Sequence, residues 1–157
     1  MYDHSAHNCG KIGQRTALLC AAIGFVLVLL MIGGPVVAGG GNMLQVLPFL
    51  LLPMLAIWLT ADYLGFEAGQ FLCECGTETS TYVLTGIILA IVSVAAGSLA
   101  FSFSLILRDI AIVLQDALML LSIIITPLIL ILGFGAIPAA LLGILYGVVV
   151  KKRLENE

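Results

Sequence analysis

Five residues have the chemistry of a soft-metal site. His4, His7 and Cys9 read His-x-x-His-x-Cys near the amino terminus, and Cys73 and Cys75 read Cys-Glu-Cys. Two imidazoles and up to three thiolates suit tetrahedral Zn²⁺ or Cu⁺. The spacings are not those of the common zinc fingers, and the amino-terminal tail would have to reach the second pair. The same sulfurs offer redox chemistry instead. A Cys-x-Cys pair closes on itself poorly within disulfide geometry, so a bond from Cys9 to Cys73 or Cys75 is the easier one to form. Cys20 sits in an apolar run and reads as packing.

Arg108, Asp109 and Asp116 form a second constellation, with Gln115 on the same third of a helical wheel. Ionisable groups at membrane depth line ion paths. These lie near a span boundary, where an interfacial role competes with conduction. Asp62 and Glu67 follow an apolar run and are expected in water. No Ser/His/Asp arrangement is legible and no haem-attachment motif occurs. Gly39-Gly40-Gly41 precedes an apolar helix and makes a turn, not a phosphate cradle. No cofactor is required by any motif; Zn or Cu is the alternative.

The elements that must position these residues follow from composition. The chain has 157 residues, is 62% hydrophobic and only 10% charged, with a mean hydropathy of +1.22. A soluble domain of this size is mostly surface and cannot hide so much apolar area. The net charge of −3 and the absence of a large basic cluster exclude tracking of a phosphate backbone. Charged residues are missing between Arg15 and Asp62, between Glu78 and Arg108, and between Asp116 and Lys151. At 1.5 Å per residue, about 20 residues cross a hydrocarbon core about 30 Å thick. The three stretches therefore hold two spans, one span, and one long span or a span plus a shorter segment.

The expected fold is an all-α integral membrane protein, a single domain over 1–157 with about four transmembrane helices in an antiparallel bundle. Residues 1–15 form a polar tail. The spans run about 16–37, 43–64, 81–104 and 117–150, and an acidic loop with Cys73 and Cys75 occupies 65–80. The run 16–37 is longer than a signal-peptide core and is expected to be retained. Pro48 and Pro53 are tolerated in lipid and predict a kink. An interfacial amphipathic helix fits 105–118, as does an extension of either neighbouring span. Gly133, Gly135 and Pro138 predict a kink or break in the last helix, which at 34 residues would be about 51 Å long; a re-entrant segment over 133–150 is the alternative to a break.

Small residues mark helix contacts. Gly86, Ala90, Ser93, Gly97, Ala100 and Ser104 recur at steps of four and three, and Gly135, Ala139, Gly143 and Gly147 at steps of four. Where lipid removes the hydrophobic drive, such seams let backbones approach. They can face a helix of the same chain or another subunit.

Lys and Arg in short flanks select the cytoplasmic side. Four spans group Lys11, Arg15, Lys151, Lys152 and Arg153 there, with Arg108 opposite, so both termini are expected in the cytoplasm. Trp58, Tyr63, Tyr82 and Tyr146 would form an aromatic belt at that interface. On this face a disulfide is disfavoured. Five spans, with the termini on opposite faces, is the alternative. Little soluble mass remains for catalysis, so an enzyme is not expected. The leading reading is a small structural or accessory subunit, with the bilayer and other membrane subunits or further copies as partners. A small transporter or channel, and a membrane metal or thiol-redox protein, are the alternatives.

Overall fold

The computed structural model describes residues 3–39, 43–75, 78–108 and 117–156. Four helices account for nearly all of them: α1 (Asp3–Ala38), α2 (Met43–Cys75), α3 (Thr79–Arg108) and α4 (Ala117–Leu154). No strand occurs among the described residues. Stretches within three of them, Leu50–Cys75, Thr79–Leu107 and Gly135–Leu154, are long and apolar enough to cross a membrane. Without water, a backbone must satisfy its own polar groups, which a helix does within one segment. Hydroxyls inside the helices follow the same rule. Thr16, Thr60, Ser93 and Ser102 each donate to the carbonyl four residues earlier, at 2.7–3.1 Å.

The helices form a ring. α1 packs on α2 and α4, α2 on α3, and α3 on α4, with α3–α4 the most extensive pairing. The core lies toward the end that carries the termini. Leu72, Tyr146 and Val150 are fully enclosed there, with Ala17, Cys20, Ala61, Tyr82 and Leu89 around them.

Four expectations are corrected. The tail over 1–15 is helical from Asp3, and the acidic segment 65–80 is helical through Cys75. Charged residues end a membrane span but not a helix, and Glu67, Ala68, Gln70 and Leu72 are ordinary helix formers. Of the kink or break expected in the last helix, the break is absent, since α4 runs from Ala117 to Leu154 across Gly133, Gly135 and Pro138. The aromatic belt divides: Trp58 and Tyr63 are exposed, whereas Tyr82 and Tyr146 are buried in the core. Of the segment 105–118, residues up to Arg108 continue α3 and Ala117 opens α4; 109–116, with Asp109 and Asp116, lie outside the described residues.

Candidate functional site

Glycines set the geometry of the bundle. A Cβ added to Gly13 would meet the Gly65 carbonyl oxygen and stand 2.7 Å from the Gly69 Cα. One added to Gly69 would meet the Cys9 carbonyl, and Gly65 faces the Ala17 methyl. The α1 and α2 backbones therefore touch directly, as small residues permit. α3 and α4 do the same further round the ring. Gly86 lies against the Gly143 carbonyl, Gly143 would place a Cβ 2.7 Å from the Ile87 Cα, and Gly147 one 2.8 Å from the Val83 Cα.

The seam expected along α3 serves two neighbours. Gly86 faces α4, while Gly97 meets Ile57 of α2, with its Cδ1 2.7 Å from an added Cβ. Ser93 is buried, and Ala90, Ala100 and Ser104 are half-buried. On α4, Ala139 is buried beside the two contact glycines, and Gly135 is half-buried.

The α1–α2 crossing brings the sulfurs together. Cys9 and Cys73 form a disulfide with Cα atoms 6.1 Å apart, linking positions 64 residues apart in sequence. Cys9 is buried at 6% exposure, and the Cys73 side is open to solvent. Cys75 is free and exposed; Cys20 is free and buried. The His7 ring packs edge-on against Phe66, with centroids 5.7 Å apart. Among the described residues no three His, Cys, Asp or Glu side chains gather as a metal site. While bonded, Cys9 and Cys73 cannot offer the thiolates that Zn²⁺ or Cu⁺ would need. His4 belongs to α1.

Polar links tie the same end together. Gln14 Nε2 donates to Asp62 Oδ1 at 2.7 Å, bridging α1 and α2. The Tyr146 hydroxyl donates to the Gly65 carbonyl at 3.5 Å and the Tyr82 hydroxyl to the Leu72 carbonyl at 3.4 Å. Lys151 Nζ donates to Thr79 Oγ1 at 2.6 Å and lies 3.6 Å from Glu155. Of the ion-path residues, Arg108 ends α3. Within α3, the buried Ser98 hydroxyl has no partner among the described residues.

Sequence reasoning missed the α1–α2 crossing and the Gln14–Asp62 bridge. The first carried a signal, since Ala61, Gly65 and Gly69 recur every four residues opposite Gly13 and Ala17. The bridge carried none, because pairing across 48 positions needs the register of the two helices. No protein-family model, curated protein or solved structure matches the chain.

Proposed function

We propose that the protein is a small structural subunit of a membrane assembly: four spans, antiparallel, with both termini on one face. The observation that carries the reading is the set of glycine-to-backbone contacts, Gly13 with Gly65 and Gly69, and Gly86 with Gly143. Contacts of this kind lock helices into one arrangement, which suits a fixed spacer better than a moving transporter. The hydroxyls of Ser93 and Ser102 are turned onto their own helix, and the one buried hydroxyl left over within α3 among the described residues, that of Ser98, is little to build a polar path from. Native mass spectrometry of gently solubilised membranes tests the idea. The expected result is a species of defined stoichiometry heavier than the 16.5 kDa chain. A chain released only as a lipid-bearing monomer would overturn it.

A thiol-redox role is the second reading, favoured by the Cys9–Cys73 bond with Cys75 exposed two positions on. The basic residues Lys11, Arg15 and Lys151–Arg153 favour the cytoplasmic face for this end. There glutathione keeps thiols reduced, so a closed bond would report oxidation.

A further inference from the structure

Helix contacts fix which residues share a height. Gly13 against Gly65 and Gly69 puts Arg15 level with Glu67. The Tyr82–Leu72 hydrogen bond and the Gly97–Ile57 contact put Glu67 level with Ile87 and Ile88 of α3. Gly86 against Gly143 puts these level with Leu141 and Leu142 of α4.

From that height toward the termini, the two sides of the bundle differ. The exposed positions of α1 and α2 include Lys11, Arg15, Glu67 and Glu74, with Phe71 a large apolar side chain exposed among them. Those of α3 and α4 remain Leu84, Ile88, Leu141, Leu145 and Val148, with Leu84 59% and Leu141 63% exposed. The α3–α4 face turns polar at Ser80 and Thr79 of α3, at Glu78 just before it, and at Lys151 of α4. From Leu142 to Lys151 is about 13 Å at 1.5 Å per residue.

We propose that the outer face of α3 and α4 contacts lipid acyl chains for about 13 Å beyond the height at which α1 and α2 leave the hydrocarbon. The membrane surface then crosses the bundle as a slope. Over a bundle about 20 Å wide, this is a tilt of roughly 30°, within the range that membrane helices adopt.

Three observations favour lipid as the occupant. The strip continues the apolar outer face of α3 through Leu99 and Leu107 with no change of residue type. It carries large aliphatic side chains, whereas helix partners in lipid select small ones, and the small residues here are turned inward. Each end of the slope has its own anchor. Exposed Tyr63 of α2, one turn from Glu67, marks the lower edge, where aromatic rings favour the interface. Exposed Lys152 and Arg153 mark the upper edge, where they meet headgroup phosphates.

The inference rests on the membrane-spanning reading, and the test separates the two. Trp58 is the chain's one tryptophan, so single-tryptophan variants can be built on Trp58→Phe: Leu99→Trp, Leu145→Trp and Phe71→Trp. Each is reconstituted in phosphatidylcholine vesicles and quenched by brominated acyl chains or by aqueous iodide. Leu145 and Phe71 lie at similar heights on opposite sides. We expect acyl-chain quenching of Leu145→Trp to exceed that of Phe71→Trp at least two-fold, with the order reversed for iodide. Equal quenching of the two by both agents overturns the slope. So does protection of Leu145→Trp from both, which would place a protein partner on the face. Loss of acyl-chain quenching at Leu99→Trp would instead remove the membrane-spanning reading itself.

Discussion

Cys9 and Cys73 are paired because three glycines let their helices touch. A bulkier residue at Gly69 would meet the Cys9 carbonyl and push the two sulfurs apart. The thiol chemistry is thus conditional on a packing detail, and on the compartment. With this end cytoplasmic, the pair is expected to be reduced in growing cells and to close when a thiol oxidant such as diamide is added. Acid-quenched alkylation followed by mass spectrometry reads the state directly. Full oxidation in unstressed cells would put this face in an oxidising compartment and reverse the orientation. The sequence offered Cys9 with either Cys73 or Cys75. What chose between them was the register of α1 on α2, set by Gly13, Gly65 and Gly69, and no local spacing encodes that.

At the scale of elements, the apolar cores of the helices were legible because charges are excluded from hydrocarbon. The ends were not. Asp62 and Glu67 read as the close of a span, yet the helix continues to Cys75 and carries the α1–α2 crossing with it. Pro138 and its neighbouring glycines read as a kink or a break, and α4 continues through them without a break. Glycines along these helices divide by what surrounds them. Gly143 meets backbone, so Gly143→Leu should cost about 3 kcal/mol, the upper end of overpacking. Gly97 meets the Ile57 side chain, which can move, and Gly97→Leu should cost less, about 1–2 kcal/mol. Leu99→Ala, on the exposed side of the same helix, should be milder still. Gly133 has nothing within 4 Å, and Gly133→Ala should stabilise by roughly 0.5–1 kcal/mol through helix propensity. Thermal unfolding in one detergent ranks the four. Equal melting temperatures for Gly143→Leu and the unaltered protein would show that the α3–α4 contact is absent in the membrane.

For the whole molecule, the ring of four helices places Lys11 and Arg15 at the same end as Lys151 and Arg153. Ser5→Cys and Asn156→Cys, on a background without native cysteines, should react with a membrane-impermeant maleimide from the same side of sealed vesicles. Reaction from opposite sides would replace four spans by an odd number. The Cys9–Cys73 bond has one more consequence for the molecule in its oxidised form. It closes residues 9–73, with most of α1 and nearly all of α2, into a covalent ring. A processive protease that pulls on the amino terminus works on a linear chain only as far as Cys9. Beyond that point it must draw two strands through its pore together, or wait for a reductant. Oxidation would then lengthen the lifetime of the protein against extraction from its amino-terminal end and leave extraction from its carboxyl terminus unaffected until α2 is reached.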